Sequence, residues 1–146
     1  KAEYWTLQEE TELLHKYISL EQLRFRFQYE INMDDSITPA NISFPSMLLQ
    51  PVVENAIKHG ISANYESGKL VVSFNGKGSG LEIIVSDNGQ GFDIQQSVKE
   101  NHGIYLTKER IAFLNELNKN THIGMDIESA ATGTTVRFYF QNYLNV

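Results

Sequence analysis

Apolar residues recur with two different periods over the first 31 residues. From Thr6 to about Phe25 they lie three or four positions apart among Glu, Gln and Lys, which predicts an amphipathic helix. Thr6 followed by Glu9 is typical of a capping box at the start of that helix. From Phe25 to Ile31 apolar and polar residues alternate, as they do in a half-buried strand. The change of period therefore marks a boundary between a helix and a strand.

The middle of the chain predicts a loop, a second helix and a β-hairpin. Residues 34–41 have the composition of a loop. Pro45 is placed to open a helix that runs to about His59 and is stopped by Gly60. Two β-branched apolar runs follow, joined by a glycine-rich turn of the kind found in hairpins. These runs are residues 69–74 and 81–86.

The last third of the chain predicts a long loop, a helix and two more strands. Residues 87–102 show no periodicity, so we expect a loop of the kind that often carries function. A helix is predicted over residues 104–118. Strands over 122–128 and 134–141 are joined by a turn at 130–133. Adjacent hairpins with helices between them predict an α+β fold, with helices on one face of a mixed, mostly antiparallel sheet.

Composition and charge narrow the classes of function. With 146 residues, 41% of them apolar, the chain can bury the core of one domain. Its net charge of −6 disfavours electrostatic binding to nucleic acid or acidic lipid. The absence of cysteine excludes disulfides, thiolate nucleophiles and Cys-ligated zinc. No apolar stretch approaches the roughly 18 residues that span a bilayer. Because the chain starts at Lys1 rather than Met, we expect it to be a piece of a longer protein.

The predicted second helix carries the sharpest chemical signal. At about 100° per residue, its polar side chains fall within an arc of roughly 140°, opposite the apolar ones. Asn is a poor choice inside a helix, because its amide competes for backbone hydrogen bonds. A carboxylate, an amide oxygen, an ammonium and an imidazole together could activate a water, hold a hard cation and neutralise phosphate. The alternative is an ordinary exposed face with an ion pair four residues apart. The polar residues are Glu54, Asn55, Lys58 and His59.

A second candidate site follows the predicted strand over residues 81–86. Asp87 comes at the end of that strand, where a rigid sheet could hold its carboxylate to accept from an amine. Gly89 and Gly91 allow the main chain to approach a ligand closely. The alternative is an ordinary Asp-Asn-Gly turn. The sequence contains no Walker loop, and the glycines of residues 76–80 precede a strand, unlike those of a dinucleotide fingerprint.

Two further glycines lie at the predicted starts of elements. Gly103 opens the third helix, whose free backbone N–H groups could bind an anion such as phosphate. Gly133, followed by Thr134, leads into the last strand. The alternatives are a flexible helix entry and a simple hairpin glycine.

Taken in order, these segments resemble the sequence boxes of the GHKL ATPases, a superfamily that includes gyrase, certain chaperones, sensor histidine kinases and mismatch-repair proteins. Residues 7–25 and 45–60 are similar to the LytS/YehU-type sensor kinases within it. The resemblance covers nearly the whole chain and suggests the HATPase_c catalytic ATP-binding domain of such a kinase. The boxes are residues 54–60 (N), residues 87–91 (G1), the Gly103 segment (G2) and Gly133-Thr134.

The resemblance implies a Bergerat-type two-layer α/β sandwich that binds ATP and Mg²⁺ between its helices and its sheet. On the adenine side it implies that Asp87 accepts a hydrogen bond from the amino group of the base. Thr134 would support this bond through its hydroxyl or a water. Gly89 and Gly91 would let the backbone close on the base and the sugar.

On the phosphate side the resemblance implies that Asn55 coordinates Mg²⁺. Glu54 would be the catalytic residue, which orients or deprotonates a water or the attacking group. Lys58 and His59 would lie near the phosphates, where a local positive charge offsets the acidic protein over less than the roughly 8 Å Debye length. Phosphoryl transfer asks mainly for such positioning and charge neutralisation.

Residues 92–102 would form a mobile lid over the nucleotide, and Gly103 would meet a phosphate at the helix start. The family usually has Gly-x-Gly-Leu/Met at the closing box, whereas this chain has Asn101-His102-Gly103-Ile104. Asn can adopt left-handed backbone, so we expect the box to work more weakly.

The resemblance also implies partners outside this chain. Residues 1–25 would be a helical lead-in from an upstream phosphoacceptor region, and residues 26–146 the catalytic domain. None of the four histidines lies in a phosphoacceptor motif, so the γ-phosphoryl of ATP would pass to a histidine in the upstream helices of a homodimer. A response regulator would then receive it. The domain would be the cytoplasmic part of an inner-membrane protein, with no nucleic acid partner and no direct membrane contact.

Three other functions stay open on the sequence alone. One is a GHKL anti-sigma-type serine kinase that sequesters a partner, although the lead-in helix looks like the stalk-adjacent helix of the sensor kinases. Another is a degenerate nucleotide-sensing regulator, which Asn101 favours and the intact pair of Glu54 and Asn55 opposes. The last is an α+β domain without a ligand.

Overall fold

The computed structural model describes residues 3–61, 67–91 and 103–143. A 3₁₀ turn over Pro39–Asn41 precedes β3, and α2 continues as a π-helical turn over Ala56–Gly60. The helices and strands are β1 (Tyr4–Thr6), α1 (Leu7–Glu21), β2 (Phe27–Met33), β3 (Ser43–Pro45), α2 (Gln50–Asn55), β4 (Gly68–Lys77), β5 (Gly80–Asp87), α3 (Gly103–Leu117), β6 (His122–Ala130) and β7 (Gly133–Gln141).

Five strands form one sheet in the order β2-β4-β5-β7-β6. β2 runs parallel to β4, and the other neighbours are antiparallel. β1 and β3 form a separate antiparallel pair. The predicted α+β class with a mixed, mostly antiparallel sheet is thus confirmed.

The core lies between one face of the sheet and the helices. Because side chains alternate along a strand, every second residue of β4, β5 and β7 is buried on this face. Except for Glu82, which is buried, the residues between them are half-buried or exposed on the opposite face. The fully buried core side chains include Leu14 and Ile18 of α1, Val53 of α2, Leu70 and Phe74 of β4, Ile83 of β5 and Phe138 of β7.

The predicted start of α1 is confirmed in detail. The hydroxyl of Thr6 accepts from the backbone N–H of Glu9 at 3.1 Å, and the Glu9 carboxylate accepts from the N–H of Thr6 at 2.9 Å. The helix ends at Glu21, before the predicted end at Phe25. Since α1 is part of the same core as the sheet, it packs with residues 26–146. The origin of residues 1–25 in an upstream phosphoacceptor region stays a prediction.

The prediction that Pro45 opens the second helix is wrong. Pro45 ends β3, where it pairs with Tyr4 of β1. A turn over residues 46–49 follows, and α2 begins only at Gln50, with Pro51 in its first turn. Proline suits that turn because its missing N–H would have no partner in the helix. Pro51, which the sequence pattern put inside the helix, therefore lies in its first turn.

The other predicted elements occur close to their expected positions. The hairpin of β4 and β5 turns at Gly78, whose φ of +60° requires the conformational freedom of glycine. α3, β6 and β7 start and end within about two residues of their predicted bounds. Within the three described ranges, no helix is long and apolar enough to cross a membrane.

Candidate nucleotide-binding site

Asp87 is a buried carboxylate at the end of a central strand. It is the last residue of β5 and pairs with Leu70 on one side and Thr134 on the other. The residue is only 8% exposed, and its Oδ1 accepts from the N–H of Gly89 at 2.8 Å. Burial raises the pKa of Asp87 above its ordinary value of 3.8, and hydrogen bonds from the backbone of Gly89 and Thr134 partly oppose that rise. A carboxylate in this setting favours a further hydrogen-bond donor.

The end of the second helix lies directly against Asp87. A β-carbon added at Gly60 would lie 2.9 Å from Oδ1 of Asp87, and one added at Gly89 would overlap the backbone of Gly60. The side chain of Gln90 also donates to the carbonyl of His59 at 3.4 Å. Gly60 was expected only to stop the helix. Its contact with Asp87 joins the N and G1 boxes into one surface.

Two more glycines allow close backbone contacts near the end of β5. Gly133 has a φ of +143°, and a β-carbon there would overlap the carbonyl oxygen of Asp87. Gly91 has a φ of +73°, and a β-carbon there would overlap the carbonyl oxygen of Ala130. Both φ values strain any residue other than glycine. The β6–β7 turn and the chain after β5 therefore pack backbone against backbone.

Thr134 presents a buried hydroxyl next to Asp87. Its Oγ1 lies 2.7 Å from the hydroxyl of Ser129, to which it is paired across the β6–β7 hairpin. Sequence reasoning singled out Thr134 but missed Ser129. Once a hairpin of β6 and β7 is predicted, the register of its strands is the only signal that could have placed Ser129 there.

The polar face of the second helix separates into a buried and an exposed part. Asn55 is only 7% exposed, and its Oδ1 is buried with no hydrogen-bond partner among the described residues. Glu54 is half-buried and forms an ion pair with Lys58, 3.2 Å from Oε2 to Nζ. Lys58 and His59 are exposed.

The π-helical turn Ala56–Gly60 is a local feature that sequence reasoning missed. A π turn widens the helix by one residue, and such turns are often found at functional sites. Lys58 and His59 lie in this turn, and its end, Gly60, contacts Asp87. We find no pattern in the sequence that predicts it.

Gly103 lies beside the first turn of α2. A β-carbon added at Gly103 would lie 3.2 Å from the carbonyl oxygen of Pro51, and the Thr107 hydroxyl donates to the Gly103 carbonyl at 2.9 Å. The start of α3 is thereby held against the helix that carries Asn55. The predicted lid, residues 92–102, and with it Asn101, lies outside the described residues.

The oxygen atoms that Asn55 and Asp87 present fit an adenine nucleotide with a divalent cation. The orphaned Oδ1 of Asn55 is an amide oxygen, the type of ligand that Mg²⁺ accepts, and a buried oxygen of this kind is costly without a partner. Mg²⁺ commonly takes only one or two protein oxygens together with phosphate oxygens. The carboxylate of Asp87 suits an exocyclic amine.

Comparisons with known proteins were made at the level of sequence and of fold. No family model matches the sequence. The sensor protein LytS of Staphylococcus epidermidis is 34% identical over 141 residues, which is 90% of this chain and 23% of the relative. The sensor histidine kinase YpdA of Escherichia coli is 32% identical over 133 residues, 86% of this chain and 22% of the relative. The chain thus spans about a quarter of the length of these relatives.

Solved structures share the fold. The histidine kinase domain of a blue-light activated kinase from Erythrobacter litoralis superposes with a TM-score of 0.70 at 17% identity, over 94% of this chain and 65% of that one. The nucleotide-free catalytic domain of the histidine kinase ThkA superposes with a TM-score of 0.64 at 12% identity, over 95% of this chain and 94% of that one. With the boxes, the fold and these relatives together, the chain belongs to the GHKL superfamily as a HATPase_c domain of the LytS type.

Proposed function

We propose that this chain is the ATP-binding catalytic domain of a two-component sensor histidine kinase. The observation that carries the proposal is the buried carboxylate of Asp87, which lies against the main chain of Gly60 and accepts from the N–H of Gly89. This carboxylate adjoins the end of the helix that carries Asn55 with its unpartnered oxygen. A flat base with an amino group matches the first feature, and a metal-bound phosphate tail matches the second.

On the adenine side, Asp87 accepts from the amino group of the base. The backbone N–H groups that already bond to Asp87 keep its carboxylate oriented. Thr134, oriented by Ser129, supports the same edge of the base through its hydroxyl or a water. Gly89 and Gly91 let the backbone close on the base and the sugar.

On the phosphate side, Asn55 offers its Oδ1 to Mg²⁺, which when bound would neutralise charge on the phosphate oxygens. Lys58 and His59 lie on the exposed part of the same helix, where they can reach the phosphates, and Gly103 brings the start of α3 to them. Glu54 orients the attacking group or takes up its proton. Its ion pair with Lys58 keeps the carboxylate and the ammonium together at the transfer position.

The reaction moves the γ-phosphoryl of ATP to a ring nitrogen of a histidine outside this chain. The bond to the bridging oxygen breaks, ADP leaves, and a phosphorus–nitrogen bond forms. The acceptor lies in upstream dimerisation helices of the same protein, and a response regulator receives the group next. The kinase and sensor names of the sequence relatives support this reaction over that of an anti-sigma-type serine kinase or a degenerate sensor.

An exposed apolar stripe on α3 supports docking of those upstream helices. Leu106, Phe113 and Leu117 are 51%, 61% and 62% exposed, and their spacing of seven and four residues puts them on one side of the helix. The sensor relatives are about four times longer than this chain, which leaves room for such helices. The domain then works in the cytoplasm as part of a membrane-anchored protein.

Replacing Asp87 by Ala should weaken ATP binding about 10- to 100-fold, because a hydrogen bond to a charged group is worth about 1.5–3 kcal/mol. Titration calorimetry with Mg·ATP measures this, and a melting curve checks the fold. The control is Asp126→Ala, an exposed aspartate on β6, which should bind ATP normally. Absence of binding heat in the unmutated protein would contradict the proposed function.

The stability of Asp87→Asn relative to the unmutated protein should rise with pH. Because burial raises the pKa of Asp87, ionisation of this residue lowers the free energy of unfolding. That cost is absent below the ordinary pKa of 3.8 and complete above the raised pKa, and Asn never bears it. Urea unfolding between about pH 4 and 7 measures the difference. The exposed Asp126→Asn is the control, and a flat difference for Asp87→Asn would refute the expectation.

Replacing Asn55 by Ala should reduce the Mg²⁺ dependence of ATP binding without removing an Oδ1 hydrogen bond from the described structure. The ratio of ATP affinities with Mg²⁺ and with a chelator measures the effect. Asn115→Ala is the matched control, because the Asn115 side chain bonds to both the N–H and the carbonyl of Ile123. That control should lower the melting temperature and leave the ratio unchanged. An unaltered ratio in Asn55→Ala would exclude it as the metal ligand.

Incubated with γ-labelled ATP, the chain should acquire no label on its own histidines and should transfer label to the upstream helical piece. Glu54→Gln should suppress transfer while ATP affinity is kept. Glu116→Gln, which removes an exposed carboxylate that is ion-paired with Lys119, is the control. Label on one of the chain's own histidines would refute the expectation. These are His15, His59, His102 and His122.

A further inference from the structure

Glu10 is a carboxylate buried completely inside the fold. It lies on α1 with 0% exposure. Its Oε1 accepts from the indole N–H of Trp5 at 2.8 Å and from the N–H of Met47 at 2.7 Å, and its Oε2 accepts from the N–H of Leu49 at 3.0 Å. Two of the three donors are backbone groups nearly forty residues away. The Glu10 side chain therefore fixes the backbone of the segment just before α2.

Burial of this carboxylate is unfavourable by itself. Desolvation raises the pKa of Glu10, while the bonds from Leu49, Trp5 and Met47 and the positive charge of Arg110 lower it. A Leu at this position would pack without that cost. The hydrogen bonds that Glu10 accepts from the turn offset part of the cost of its burial.

The turn over residues 46–49, to which Glu10 is hydrogen-bonded, contains a strained residue. Met47 adopts a φ of +59°, a left-handed conformation that costs a residue other than glycine about 1–3 kcal/mol. From the other side, Nη1 of Arg110 on α3 donates to the carbonyl of Ser46 at 2.7 Å. The turn is thus bonded by α1 on one side and by α3 on the other.

What the turn positions is the phosphate side of the proposed site. It leads directly into α2, whose first turn contacts Gly103 through the carbonyl of Pro51. α2 carries Asn55, and α3 packs against it. The adenine side, by contrast, is built on the ends of β5 and β7, and it meets the second helix at the far end, at Gly60.

We propose that Glu10 and Arg110 are positioning residues for the phosphate side of the site, acting through the 46–49 turn on the relative placement of α2 and α3. The inference rests on the proposed binding of ATP. It makes α1, the helix nearest the start of the chain, a structural support of the phosphate side and not of the adenine side. Neither residue is assigned a contact with the nucleotide.

The test compares the affinity for Mg·ATP with that for AMP, which lacks the β- and γ-phosphates. Glu10→Gln keeps the shape of the side chain, but its NH₂ group meets a backbone N–H and one bond to the turn is lost. We expect affinity for Mg·ATP to fall about 5- to 10-fold, the equivalent of about one hydrogen bond, with little change for AMP. Displacement of a fluorescent adenine nucleotide measures both affinities.

Arg110→Gln should reduce the same affinity ratio, and the double variant should lose little more than either single one, since both act on one turn. If Glu10→Gln does not fold, Arg110→Gln carries the test, because Arg110 is only half-buried. Equal losses for Mg·ATP and AMP, or an unchanged ratio in a folded variant, would overturn the inference.

Glu82→Gln is the matched control. Glu82 is a nearly buried carboxylate of β5 that accepts from the Asn75 side chain at 3.3 Å and lies 3.8 Å from Nζ of Lys77. The Glu82→Gln variant should leave the ratio of the affinities for Mg·ATP and AMP unchanged, even if its melting temperature is lower. Failure of the unmutated protein to bind Mg·ATP would count against the proposed function instead, so the two failures are distinguishable.

Discussion

The close approach of Gly60 to the carboxylate of Asp87 is the constraint on which the rest of the site depends. It requires glycine at Gly60 and Gly89, because a side chain on either would displace the helix end from the strand end. It also brings an element with helical period against one with a period of two, so that the end of the helix lies against the end of the strand. Without this contact, the N and G1 boxes would be two unrelated surface patterns.

Asp87 and Glu10 are buried carboxyl groups that accept hydrogen bonds from the main chain. Asp87 bonds to the backbone of the chain that follows it, and Glu10 bonds to a turn far along the sequence. In both cases burial raises the pKa of the carboxyl group, because removal from water disfavours the ionised form. At these two positions the carboxylate fixes the placement of the main chain, although its burial costs stability.

Local pattern predicted most of the fold and the candidate residues of the site, and it failed where distant contacts decide. The capping box of Thr6 and the β4–β5 hairpin depend on neighbouring residues, so their chemistry is visible in the sequence. Pro45 satisfies the rules for a helix start equally well, and only its pairing with Tyr4 assigns it to a strand. Glu10 has the appearance of a surface residue on a helix until β1 and the 46–49 turn cover it. Ser129 likewise becomes visible only through the strand register.

The parallel pairing of β2 with β4 has a consequence for how the chain folds. Phe27 lies beside Gly68, although roughly forty residues separate them, and α2 is contained in the intervening segment. The antiparallel hairpins β4–β5 and β6–β7 can form early from short loops, whereas β2 can add to the edge only after that long segment has become compact. Attachment of this edge strand is therefore the natural late step of folding.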